Sequence, residues 1–189
     1  NPNLVAEEIK NWDLIWIGSW SELNFSLGYF YSTFNNAVVD EVLNSGLRQT
    51  TNATIDPVSG IEAEIGSQQQ RGYYWRMAMT HLDNKPDVSL SSADTTASLT
   101  LGYTYAPHSI SLINSYASKR KLPATGNPSL DNYYRSDFKA TYSISSDFNA
   151  TLMIKNIGDE TLLTPSSTLP YGIPERGREI SIGIELLNY

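Results

Sequence analysis

The sequence predicts an all-β fold: an antiparallel sheet of about nine long strands that forms one segment of a transmembrane β-barrel. Three observations carry this reading. Apolar and polar side chains alternate with a period of two, the alternating runs reach about 10–12 residues or more, and short turns alternate with mostly long connections.

Composition is consistent with such a sheet. The chain has 189 residues, of which 40% are hydrophobic, 11% aromatic and 17% charged, and Tyr alone occurs 12 times. The formal net charge of −7, from 20 Asp+Glu against 13 Lys+Arg, is the wrong sign for a broad nucleic-acid footprint. The absence of cysteine excludes a disulfide framework, thiolate metal sites and a cysteine nucleophile. No run approaches the ~18 consecutive apolar residues of a membrane-spanning helix, so any crossing must be made by strands.

The first hairpin is the clearest. Trp12, Leu14, Trp16 and Trp20 occupy even positions, whereas Leu23, Phe25, Leu27, Tyr29 and Tyr31 occupy odd ones, so the phase flips across Ser21-Glu22. A two-residue turn there sets Trp20 opposite Leu23, Trp16 opposite Leu27 and Leu14 opposite Tyr29, and gives strands over 10–20 and 23–43. Strands over 47–67 and 70–81 follow, joined around Gln69, with Ile61, Ala63 and Ile65 facing Met77, Trp75 and Tyr73. That register places Glu62 across from Arg76 and Glu64 across from Tyr74.

Strands over 95–106 and 108–121 meet at Ala106-Pro107, where Leu99, Leu101, Tyr103 and Tyr105 oppose a strand carrying Ile110 and Leu112. Strands over 132–144 and 147–156 turn around Ser145, with Phe138 facing Leu152 and Tyr142 facing Phe148. Asp137 and Lys139 then lie on the opposite, polar face. A last strand over 179–187 carries Ile180, Ile182, Ile184 and Leu186 in one phase, and a bulge is expected to bring Tyr189 back into it.

Short turns near Ser21, Gln69, Pro107 and Ser145 are expected in the periplasm, and the long connections 82–94, 122–131 and 157–178 outside, the link near Asn44 being a short exception. Trp20, Tyr73, Tyr103, Tyr105, Tyr142 and Phe148 then form a girdle at one membrane boundary. Single-chain bacterial barrels have even strand numbers and an open sheet leaves unpaired edges, so nine strands are expected to be the C-terminal portion of a larger barrel.

Four segments resemble motifs of the TonB-dependent outer-membrane receptors. Asn1-Pro2-Asn3-Leu4 with Glu7 and Asn11-Trp12-Asp13-Leu14 is similar to that family's Asn-Pro-x-Leu-x-x-Glu, with Ala6 where Pro is usual. Asn52 with Gly60-Ile61-Glu62-Ala63-Glu64 resembles its Asn, spacer, Gly-(Val/Ile)-Glu pattern. Asn156-Ile157-Gly158-Asp159 resembles Asn-Leu-Phe-Asp without the Phe, and Gly177-Arg178 resembles a closing Pro-Gly-Arg with Arg176 in the place of Pro. The resemblance implies the last nine strands of a barrel of about 22. It also implies an N-terminal plug and a TonB-contacting segment outside these residues, and energised import of a ferric siderophore, haem, cobalamin or glycan across the bacterial outer membrane.

On this reading Glu62, Glu64, Arg76, Asp137 and Lys139 are candidates to face the lumen or plug, with a plain cross-strand ion pair in a wet lumen as the alternative for Glu62, Glu64 and Arg76. His81, Asp83, Asp87 and Asp94 are candidates for a ligand-binding outer loop. Arg120, in Lys119-Arg120-Lys121 and in the lipid-facing phase, is a candidate contact for lipopolysaccharide phosphate, with a solvated loop base as the plain alternative. The only two histidines, His81 and His108, fall at opposite strand ends, so no metal site or other cofactor is expected. Catalytic motifs are lacking, so no enzyme activity is expected. Expected partners are outer-membrane lipid and lipopolysaccharide, TonB and a small-molecule ligand, with no nucleic acid. The rival readings are a soluble β-sandwich such as a carbohydrate-binding module, and a passive outer-membrane porin.

Overall fold

The computed structural model describes residues 1–42, 46–67, 71–84, 92–121, 129–166, 169 and 171–186. The strands are β1 (Glu8–Trp20), β2 (Leu23–Val42), β3 (Arg48–Ser67), β4 (Gly72–Asn84), β5 (Thr95–Tyr105), β6 (His108–Ala117), β7 (Arg120–Lys121), β8 (Ser129–Leu130), β9 (Tyr133–Ser143), β10 (Phe148–Lys155), β11 (Leu163–Thr164), β12 (Ile173–Pro174) and β13 (Glu179–Leu186). Nine of them make one antiparallel sheet in the order β1-β2-β3-β4-β5-β6-β9-β10-β13. The pairs β7–β8 and β11–β12 are separate small hairpins inserted between sheet strands.

One face is apolar across the sheet, because away from the irregularities at the long-loop ends of β2–β3 and β3–β4 the period of two keeps its phase from strand to strand. Trp16 pairs with Leu27, Leu27 with Ala63 and Ile65 with Met77. Leu101 then pairs with Leu112, Leu112 with Phe138, and Leu152 with Ile182. These side chains are not covered by a second layer: Trp12 is 73% exposed and Ile182 81%. Among the described residues the buried apolar side chains are only Ala37, Ala117, Leu130 and Leu162. A β-sandwich hides its apolar faces in a shared core, whereas a barrel wall offers them to hydrocarbon. The sheet has the second organisation.

One polar group on the apolar face is neutralised locally. Asn114 of β6 is buried, accepts hydrogen bonds from the Tyr134 and Ser136 hydroxyls, and donates to the Leu99 carbonyl. Glycines admit rings at three directly paired positions. Phe25 lies over Gly18, Phe30 over Gly60 and Tyr74 over Gly102, in space a Cβ would occupy.

The first and third hairpins have the expected registers, including Trp20 opposite Leu23 and Leu101 opposite Leu112. Two others differ. In β3–β4, Ile65 faces Met77 and Ala63 faces Met79, so Glu62 stands opposite Thr80 and Glu64 opposite Ala78, not across from Arg76 and Tyr74. In β9–β10, Phe138 faces Ile154 and Tyr142 faces Ala150, because the turn is wider and closes with the Ile144 N–H donating to the Phe148 carbonyl. Both displacements are even, so every side chain keeps its face. The Gln69 turn, the Asn44 link and Tyr189 lie outside the described residues.

The sheet strand β6 also stops earlier than expected. Pairing with β5 and β9 ends at Ala117, and Arg120–Lys121 pairs instead with Ser129–Leu130 in the β7–β8 hairpin. At the same end of the sheet β2 is irregular, with register shifts between Ser32 and Phe34 and between Phe34 and Ala37, and a positive φ of 55° at Asn36.

Candidate functional site

Three groups of polar side chains stand out: the wall of the polar face, a set of clamps at the long-loop end, and a cavity between the two small hairpins.

On the polar face, Arg76 of β4 donates to the Glu64 carboxylate of β3 at 2.6 Å. The two residues are diagonal neighbours, since Arg76 lies directly opposite Gly66, and a long side chain easily spans the diagonal. Both remain well exposed, at 64% and 41% for the side chains, so the pair contributes well under about 1 kcal/mol. With Asn24, Gly66 and Ser67 they line a hollow of 320 Å³ in the wall. Glu62 is exposed on the same face, as is Lys139, which stands between Ser111 and Met153. Asp137 is different: it is buried, lies 3.1 Å from the Arg135 guanidinium and accepts the Asn156 backbone N–H at 2.8 Å. Arg135 was readable in principle, because it is two residues from Asp137 on one strand and so shares its face.

The clamps explain the motif residues. Asn156, 2% exposed and with a φ of 52°, ends β10. Its side-chain amide donates to the Glu160 carbonyl at 2.9 Å and accepts the Glu160 N–H at 3.0 Å, which closes a turn. Asp159 then accepts the Arg178 N–H at 2.7 Å, while the Arg178 guanidinium donates back to the Ile157 carbonyl at 3.0 Å. Asn156-Ile157-Gly158-Asp159 and Gly177-Arg178 are therefore two halves of one clamp that seats β13 beside β10. A second clamp joins the other two motifs. The Asn52 amide accepts the Val5 N–H at 2.7 Å and donates to the Val5 carbonyl at 2.9 Å, standing in for a strand neighbour. Asn1 donates to the Thr50 carbonyl and Glu7 accepts the Val38 N–H at 2.9 Å, so residues 1–7 are tied along the irregular part of β2–β3. The interlocking of distant motifs had no signal in the sequence beyond the motifs themselves.

At the third group, Arg120 is corrected in position. It does not project from the lipid-facing phase: β6 has ended, and the largely buried Arg120 side chain sets its guanidinium carbon 4.9 Å from the Tyr133 ring centroid, on the side of the sheet that carries Arg135 and Asp137. It is therefore not offered to a lipid phosphate from the apolar face. Arg120, Asp131, Tyr133 and Tyr171 line a cavity of 580 Å³. Gly172, with a φ of 77°, packs one hairpin on the other, since a Cβ there would meet the Thr164 carbonyl at 2.8 Å and the Leu130 side chain at 3.4 Å.

The loop candidates are dispersed. His81 is not in a loop: β4 continues to Asn84, and His81 shares a 2.8 Å hydrogen bond with Thr95 on the outward face. Asp83 is exposed at the irregularity that ends β4, and Asp94 is exposed, its carbonyl accepting the Leu82 N–H at 2.8 Å. Asp87 lies outside the described residues. Among the described residues no cluster of His, Cys, Asp and Glu is arranged to hold a metal ion.

A sheet apolar on one face and polar on the other, with short turns at one end and clamped loops at the other, is the wall of an outer-membrane-type barrel. The family model for the TonB dependent receptor-like β-barrel matches residues 1–157, and the chain belongs to that family. Membership places it in the bacterial outer membrane among receptors, not enzymes, and sets aside the sandwich and the porin. No curated protein matches the chain. Among solved structures, the ferric enterobactin receptor of Pseudomonas aeruginosa superposes with a TM-score of 0.81 at 17% identity over 99% of this chain and 32% of that one. The pyoverdine outer membrane receptor of Pseudomonas aeruginosa gives 0.77 at 18% identity over 98% and 30%. The iron transporter FrpB of Neisseria meningitidis gives 0.77 at 17% over 96% and 31%. The chain thus spans about a third of the length of the structures it matches.

Proposed function

We propose that this chain is the C-terminal nine-strand portion of a TonB-dependent importer that carries a scarce nutrient across the outer membrane. The single observation that carries the reading is the match of the family model to residues 1–157 of a sheet whose nine strands follow one another as neighbours. The proposed cargo is an iron complex, of siderophore or haem type, ahead of cobalamin or glycan, because the similar solved structures are receptors for ferric enterobactin and pyoverdine and an iron transporter. In this scheme the remaining strands, an N-terminal plug and the TonB-contacting segment precede these residues. The short turns lie in the periplasm and the long connections outside. Glu62, Glu64, Arg76 and Lys139 face the plug and the solute path, while Asp83 and Asp94 belong to the outer rim.

The test uses the full-length protein. It is expected in the outer-membrane fraction, with heat-modifiable mobility in detergent gels, and to support energised uptake of ferric enterobactin or pyoverdine under iron limitation that disappears when TonB is deleted. Reconstituted in planar bilayers it should stay closed. A steady open conductance without a plug would sink the importer reading.

A further inference from the structure

We propose that the short-turn end of β4–β6 holds one anionic phospholipid, with its phosphate on Arg71 and an acyl chain in the groove lined by Tyr73 and Tyr103. The proposal deepens the import reading by naming a lipid partner, and it rests on that reading only for the leaflet, the periplasmic one, in which the lipid sits.

The apolar face of the sheet is not uniform. Near the short turns, Tyr73, Leu101, Tyr103, Ile110, Leu112 and Phe138 line a groove of 220 Å³ whose surface is almost wholly apolar. Leu101 and Leu112 form the next outward-facing row beyond Tyr103 and Ile110, so the groove runs from the membrane boundary into the hydrocarbon. An unfilled groove forfeits dispersion contacts on its open side, and in a bilayer the filler at hand is an acyl chain.

The boundary itself carries a cation. Arg71 is exposed on the same side, its guanidinium carbon 4.4 Å from the Tyr105 ring centroid. Tyr105 stacks on Tyr103 at 6.5 Å and Tyr103 packs on Tyr73 at 4.7 Å, so one run of contacts leads from the charge to the groove. His108, directly opposite Tyr105 and 5.1 Å from the Tyr142 ring, brings a second polar ring to the same rim. Among the described residues Arg71 has only the face of Tyr105 against it, and residues 68–70, which separate it from β3, are all glutamine. The turn carboxylates at this end, Glu22 and Asp147, belong to other hairpins. A guanidinium fork at a membrane boundary matches a phosphate. With no carboxylate in its own hairpin's turn to receive an ammonium group, a headgroup of net negative charge is favoured over a zwitterionic one. The leaflet at the periplasmic boundary is glycerophospholipid, which makes the ligand a lipid of the phosphatidylglycerol type.

The experiment is native mass spectrometry of the full-length protein released from detergent, titrated with phosphatidylglycerol and phosphatidylethanolamine of identical acyl chains. One phosphatidylglycerol is expected to be retained at least about fivefold more tightly than phosphatidylethanolamine. Arg71→Gln should abolish that preference with heat-modifiable mobility unchanged, and Arg71→Lys, which keeps the charge and loses the fork, should keep part of it. Ile110→Trp, which fills the groove and leaves Arg71 in place, should weaken both lipids several-fold. Lys121→Gln, exposed at the opposite end of the sheet, removes the same charge and should change nothing. An undiminished preference in Arg71→Gln overturns the proposal, as does an equal loss in Lys121→Gln or equal retention of the two lipids by the parent. Lipid A retained through Arg71 more tightly than phosphatidylglycerol would assign the site to the outer leaflet and also overturn it. The side is checked with a membrane-impermeant maleimide on Ser146→Cys in intact cells, where no label is expected and labelling overturns the periplasmic assignment. Because the titration involves neither TonB nor uptake, loss of transport leaves this result standing, and an absent lipid preference leaves the import reading intact.

Discussion

The two ends of the sheet are held by different physics. At the short-turn end, strands run in regular ladders and side chains need only choose a face. Trp20, Tyr73 and Tyr105 are exposed on the apolar side, Tyr73 packs on Tyr103 at 4.7 Å, and Arg71 lies 4.4 Å above Tyr105. At the long-loop end, bulges and turns interrupt the ladder and leave backbone groups that only a particular side chain can satisfy. Asn52 does this for Val5, and Asn156 for Glu160. The regular end therefore tolerates any residue of suitable polarity, whereas the looped end depends on named ones.

Substitutions sharpen or break this contrast, each read as a shift in the urea unfolding midpoint of the protein in lipid vesicles. Asn156→Ala should be the most damaging, at about 2–4 kcal/mol, because it removes both hydrogen bonds that a buried amide makes to the Glu160 backbone and loosens the link to β13. Leu112→Arg, halfway along β6 on the apolar face, should cost about 2–4 kcal/mol in lipid, whereas Leu112→Ile should be almost silent. Asn52→Ala should cost about 1–2 kcal/mol, since its bonds to Val5 and Asn36 are solvent-exposed. Arg76→Gln should cost less than about 1 kcal/mol, the pair with Glu64 being exposed and salt-screened. If Asn52→Ala proved as mild as Arg76→Gln, the looped end would owe its order to something other than the clamps.

Much of this architecture was legible. The phase of every sheet strand followed from alternation, and the Trp20–Leu23 and Leu101–Leu112 registers followed from phase flips over two residues. The β3–β4 and β9–β10 registers did not, and for one reason: displacement by an even number of residues leaves every apolar side chain on the apolar face. Hydrophobic pattern thus settles register only modulo two, and the turn must settle the rest. The expected Glu62–Arg76 contact failed on this point, and Glu64 took its place on the diagonal. The fate of Arg120 was illegible for another reason. Its even number belonged to the lipid phase only while β6 continued, and nothing local marks the end at Ala117.

Period-two alternation is a property of neighbouring residues along one chain, so the sequence alone was enough for the fold class, the two faces and the strand count. Apart from the local Asn156–Glu160 turn, the clamps and the diagonal ion pair join residues 12 or more positions apart, such as Arg76 with Glu64 at 12 and Val5 with Asn52 at 47. Their partners exist only once the strands are aligned, because hydrogen bonds and charge pairs act over a few ångströms and carry no trace in sequence separation.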